Sequence, residues 1–324
     1  MGKLIKKLGV CIAFILIVGC SNDGNETPSQ SSMEFNVGGQ SFKIIPLYEE
    51  VLDYTNEAME NTELNTSGEY YSKVTQPFLE SASNEKASLA GGLDYSTYFS
   101  PTTSVQTLDE QTVELLKKQE EVNKAIQASL TKSGKSLGGE NKTIYVMPVN
   151  PDYKTIQNEM KGVSAITVSK DVIVLFLSPT YEKDMLEYAV AHEYHHSVFL
   201  ENQNEAGGMN LLNGFVFEGR ADSFASHLYP EANPPWSEPL STEEEKRVLE
   251  ELRENSDSSN TELYYTFQNG DLKKDIPRWS NYKMGFKIVE SYLRHHPDVS
   301  IEEWTMMDES KMVLGSDYSE LVSE

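Results

Sequence analysis

The sequence predicts an α+β fold, mostly helical, with a small β-sheet packed on one long central helix. Three observations carry this expectation. Residues 107–130 set Leu108, Val113, Leu115, Leu116, Val122, Ile126 and Leu130 in an apolar stripe, with Glu and Lys on the other face. Three β-branched and aromatic runs follow: TIYVMPV (143–149), AITV (165–168) and VIVLFL (172–177). Two helical segments come after them, 181–201 and 213–228. Helices flanking one small sheet make an α+β arrangement.

The N-terminus bears on location. Residues 1–7 carry Lys3, Lys6 and Lys7, and the apolar run 8–18 stops at Gly19-Cys20. That run is too short for a permanent membrane-spanning helix and has the layout of a signal peptide with a small-residue cleavage point. I-V-G-C at 17–20 resembles the lipobox of bacterial lipoproteins. The resemblance implies that residues 1–19 are removed and that Cys20 is lipidated, anchoring the chain at the extracytoplasmic face of the cell membrane. The chain has two cysteines, Cys11 and Cys20. The mature domain then has no free thiol, which excludes a disulfide framework and a thiolate metal site.

Residues 20–32, rich in Ser and Asn, read as a flexible tether. The expected division continues with an N-terminal helical region at 33–140 and the sheet and metal-bearing region at 141–324. The formal net charge is -24, and loss of the signal lysines makes it more negative. Such a surface repels phosphates, so a nucleic-acid partner is excluded and the charge serves solubility.

In the N-terminal region, 46–59 and 70–82 alternate apolar and acidic residues at helical spacing, with Pro77 forcing a kink or boundary in the second. Residues 91–101 read as a packed aromatic loop, and the Gly/Ser/Lys stretch 133–141 ends the helix of 107–130. Ser169-Lys170-Asp171 reads as a hairpin turn. Beyond the metal-bearing segments, 243–254 reads as a solvated acidic helix. Residues 279–294 form a final amphipathic helix with Met284, Ile288, Val289 and Leu293 inward.

The chemistry concentrates in A-V-A-H-E-Y-H-H at 189–196. His192 and His196 stand at i and i+4 on a predicted helix, so both imidazoles can meet one Zn²⁺. Glu193 is turned off the ligand line and can hold the attacking water without ligating the metal. A catalytic zinc needs a third protein ligand. On the helix at 213–228, Glu218 and Asp222 share one face, and Ala221 and Ala225 allow close approach to the first helix. Glu218 is the expected third ligand, and Asp222 the acceptor for the second N–H of a ligand histidine. His195 is expected to face the cleft or solvent or to support a ligand from behind, and His227 to be structural. H-E-x-x-H resembles the motif of the zincin metallopeptidases, and that resemblance implies an oxyanion donor from a later segment: Tyr282 is the expected one, with Arg220 and His295 as alternatives.

H-E-x-x-H followed by E-x-x-x-D resembles the gluzincin metallopeptidases, and that resemblance implies a zincin-like fold. More closely, A-H-E-Y-H-H-S-V, F-E-G-R-A-D and N-Y-K-M-G-F-K-I-V-E-S-Y-L resemble a bacterial family of predicted Zn-dependent proteases, over residues 143–296. The expected activity is hydrolysis of peptide or protein substrates by a zinc-activated water with Glu193 as general base. Two alternatives stand beside it: a non-catalytic zinc-binding surface lipoprotein, and a zinc hydrolase of a non-peptide amide in the cell wall.

Overall fold

The computed structural model describes residues 28–85, 98–202 and 209–322. Cys20 and the signal segment lie outside these residues, as does 91–97 of the expected aromatic loop. Among the described residues no helix is long and apolar enough to cross a membrane.

The described residues open with a hairpin, in a region the sequence predicts to be mainly helical. β1 (Met33–Val37) and β2 (Gln40–Pro46) are antiparallel and turn at Gly38-Gly39, both at positive φ. β3 (Lys142–Pro148), β4 (Val163–Thr167) and β5 (Val172–Leu177) complete one five-stranded sheet in the order β1-β2-β3-β5-β4. β2, β3 and β5 run parallel, and β4 returns antiparallel to β5 through the expected turn, which leaves β4 at an edge. The region expected to be a helical lead-in thus supplies two strands of the sheet on which the metal helix packs. The expected tether is also shorter: Gln119 accepts from Ser31 N and donates to Ser29 O, pinning that stretch to the body.

Alternation along the strands divides the core in two. Tyr145, Met147, Val172, Val174 and Phe176 face α1 (Tyr48–Glu60), α2 (Gln76–Asn84) and the start of α3 (Val105–Lys117). Ile144, Val146, Ile173, Leu175 and Leu177 face α4 (Gln119–Ser136) and α5 (Lys183–Glu201). The expected single helix of 107–130 breaks at Lys118 (φ -95, ψ 3); Leu108 packs on the first side of the sheet, while Leu115 and Leu116 pack on the second with Val122, Ile126 and Leu130.

α5 is buried on nearly every face, as a helix caged by sheet and other helices must be. Small side chains on α4 let it sit close, and Ser129 Oγ donates to Glu187 O at 2.7 Å. α6 (Leu211–Leu228) starts at Asn210, whose side chain accepts from Asn213 N. The solvated helix α7 (Thr242–Asn255) starts with a capping box between Ser241 and Glu244. α8 (Thr261–Asn269) and α9 (Ser280–His295) follow. α6 and α9 cross in backbone contact. A Cβ on Gly219 would lie 2.2 Å from the Gly285 carbonyl, and one on Gly285 would lie 2.0 Å from Phe215 O. No other residue fits there.

Candidate metal centre

α5 and α6 bring His192, His196 and Glu218 together, all buried. One donor atom from each lies within 4.8 Å of the others. His192 Nε2 and His196 Nε2 are 2.9 Å apart, and Glu218 Oε2 is 3.3 Å from each. His192 Nδ1 lies 3.0 Å from Asp222 Oδ1. A carboxylate only accepts, so Nδ1–H donates and the Nε2 lone pair is left to point at the cluster centre. Tyr188, one turn before His192, donates to the same Asp222 oxygen at 2.8 Å.

The donor set fits a divalent cation. Two imidazole nitrogens and a carboxylate converge on one point with no protein cation among them. The electrostatics say the same. Burial pulls the His192 imidazole down, but the Asp222 and Glu218 carboxylates outweigh it and hold it well above the usual histidine value. Burial would raise the Glu218 carboxyl, yet the two histidines hold it far below the usual carboxylate range. The centre is built to hold positive charge.

Glu193 stands apart from the cluster of His192, His196 and Glu218. Thr167 of β4 donates its hydroxyl to Glu193 Oε2 at 2.7 Å and also contacts Glu193 O at 2.8 Å. Strand and helix therefore fix this carboxylate in the wall of a cleft of about 450 Å³, lined by β4, His192, Glu193, His196 and Glu218. Tyr282 also lines the cleft, with its ring 4.6 Å from Trp236 and 6.1 Å from His192. Its hydroxyl has no protein partner among the described residues. Burial and the Glu218 charge push the phenol well above its ordinary value, so it stays a neutral donor.

The other sequence candidates lie elsewhere. His195 faces neither cleft nor solvent; it is buried, stacked on Trp304 at 5.3 Å and 3.2 Å from Thr305 Oγ1. Residue i+3 from His192 is turned toward the C-terminal segment, whose packing the local sequence does not encode. Arg220 is fully buried and donates to Met307 O and Glu309, and His295 pairs with Asp317 at the surface. Neither reaches the cleft. His227 is exposed, off the ligand face of α6.

Sequence reasoning missed Thr167, Tyr188, Trp236 and Tyr264. Tyr264 donates to Glu218 Oε1 at 2.9 Å and accepts from Asn281 Nδ2 at 3.1 Å. Two signals were available: Tyr188 precedes His192 by one helical turn, and Asn281 neighbours Tyr282 in the N-Y-K-M-G-F segment.

An H-E-x-x-H helix whose buried histidines meet a glutamate from the next long helix defines a metal centre of the zinc-protease type. Residues 122–313 match the family model described as predicted Zn-dependent protease (DUF2268), and the chain belongs to that family. No curated protein and no solved structure matches the chain.

Proposed function

We propose that the chain is a zinc-dependent peptidase, held at the outer face of the cell membrane by a lipid on Cys20, with Glu193 as general base. The observation that carries this reading is the placement of Glu193. A site that only stores metal has no use for a carboxyl beside its ligands, yet Thr167 holds this one in the cleft wall, outside the trio. Zinc on His192, His196 and Glu218 supplies a Lewis acid that acidifies a water and polarises a carbonyl. Glu193 accepts the water proton and returns it to the leaving amine. Tyr282, with its uncommitted hydroxyl, donates to the carbonyl oxygen as charge develops there. β4 pairs with β5 on one side and lines the cleft, so an extended peptide can add to its other edge.

The test is a peptide-library digest by the zinc-loaded chain beside Glu193→Gln. The expected result is one zinc per chain in both and cleavage in the parent alone. Cleavage by Glu193→Gln at the parent's rate would overturn the assignment.

A further inference from the structure

The cleft walls are strongly aromatic, with Tyr98, Phe217, Trp236, Tyr264, Trp279 and Tyr282 among them. Arg278 is the one Arg or Lys among the described residues that line it. Its Nη1 pairs with Glu159 Oε2 at 2.7 Å, linking the segment before β4 to the segment before α9 across 119 residues of sequence. Both side chains are partly exposed, at 35 and 48%. An exposed pair of this kind is weak and exchanges readily. The rest of the guanidinium fork donates to no protein acceptor among the described residues, so a planar two-pronged donor is only half used.

The mount is rigid. The guanidinium lies 4.3 Å over the Trp279 ring. Trp279 itself sits in the left-handed region at φ 58 and donates its N–H to Gln268 O at 3.0 Å. Gly270, at φ +81, lets the end of α8 approach Arg278; a Cβ there would lie 3.0 Å from Arg278 N. The Asp271–Ile276 bridge closes the same loop.

Resting on the peptidase reading above, we propose that Arg278 is a specificity-determining residue that selects peptides bearing a carboxylate, which takes the place of Glu159 on the guanidinium. Glu159 lies just before the Val163 end of β4, and Glu193 contacts the Thr167 end. Those ends are about 13 Å apart at 3.3 Å per strand residue. A peptide along β4 therefore brings to Arg278 a carboxylate about three or four residues from the scissile bond. The chemistry is shared by a C-terminal carboxylate and by an Asp or Glu side chain. In a chain of net charge -24, this braced arginine is the one basic side chain among the described residues lining the cleft, and beside the zinc it can draw such a ligand inward.

The test is binding to zinc-loaded Glu193→Gln, followed by tryptophan fluorescence. Three probes are used: an N-acetylated apolar hexapeptide with a free C-terminus, its C-terminal amide, and the amide carrying one Glu at the fourth position. The expected result is that the free acid, the Glu amide, or both bind about tenfold tighter than the plain amide. Which of the two does so identifies the source of the carboxylate. Adding Arg278→Gln removes the difference, and adding Glu159→Gln enlarges it by freeing the guanidinium. Equal binding of all three probes, unchanged by Arg278→Gln, overturns the proposal and leaves the peptidase reading standing. Binding of none of them, with no cleavage by the parent, overturns both.

Discussion

Tyr264 donates its hydroxyl to Glu218 Oε1 at 2.9 Å, and this bond decides which carboxylate oxygen is free. The other oxygen, Oε2, is left 3.3 Å from both ligand imidazoles. Asn281 in turn donates to the Tyr264 oxygen, so that hydroxyl has no freedom to turn away. Tyr264→Phe is expected to weaken zinc binding about 10- to 100-fold, measured by competition with a chromophoric chelator. An unchanged zinc affinity would mean that Glu218 is held by its helix alone.

Ligand and base separate cleanly by mutation. His196→Ala removes one of three ligands, so zinc content and cleavage are both expected to fall to background. Glu193→Gln keeps the zinc and lowers kcat by about 10²–10⁴-fold, the usual contribution of a positioned general base. Elemental analysis beside a peptide assay reads both at once.

The glycine crossing makes a stability prediction with a built-in control. Gly285→Ala sets a Cβ 2.0 Å from Phe215 O, and overpacking of that kind costs about 3 kcal/mol or more. The zinc site should loosen with it, since Glu218 adjoins Gly219. Gly68→Ala, whose nearest neighbour would be 3.8 Å away, should be neutral or gain up to about 1 kcal/mol. Chemical denaturation of the two variants compares them directly, and equal stability would show that the crossing relaxes.

Buried tyrosines set the alkaline limit of the fold. Burial pushes Tyr54 and Tyr181 from 10.0 up to about 12, the charge of Glu121 adding to it for Tyr181. A folded-state value above the unfolded one means that the stabilisation is complete below pH 10 and is lost as pH rises through 12. Phenolate absorbance of these two residues should therefore rise together with loss of helix, and a Tyr54 or Tyr181 hydroxyl titrating near 10 in a chain still folded would contradict it.

The parts of the site that are local in sequence were legible, and those that depend on distant packing were not. His192, Glu193 and His196 follow from one helical turn, and Glu218 and Asp222 from another. Thr167 carries no motif, and its role exists only because β4 lies against α5. The break at Lys118 falls within a stretch of good helix formers, with no Gly or Pro to mark it. The hairpin of β1 and β2, by contrast, carried a local signal that went unread, Gly38-Gly39 between two alternating runs. Only its docking on β3 is remote: Ser41 N donates to Asn141 Oδ1, 100 residues along.

That distance also bears on where the protein can be cut. β3 is buried along its whole length, with β2 on one flank and β5 on the other. A chain begun at residue 141 would keep every metal ligand but expose the backbone donors and acceptors of a Val- and Ile-bearing strand. Naked edges of that kind recruit a strand from a neighbouring molecule and seed aggregation. The N-terminal hairpin is therefore the sheet's protective border, and a soluble fragment of this protein must begin no later than Met33.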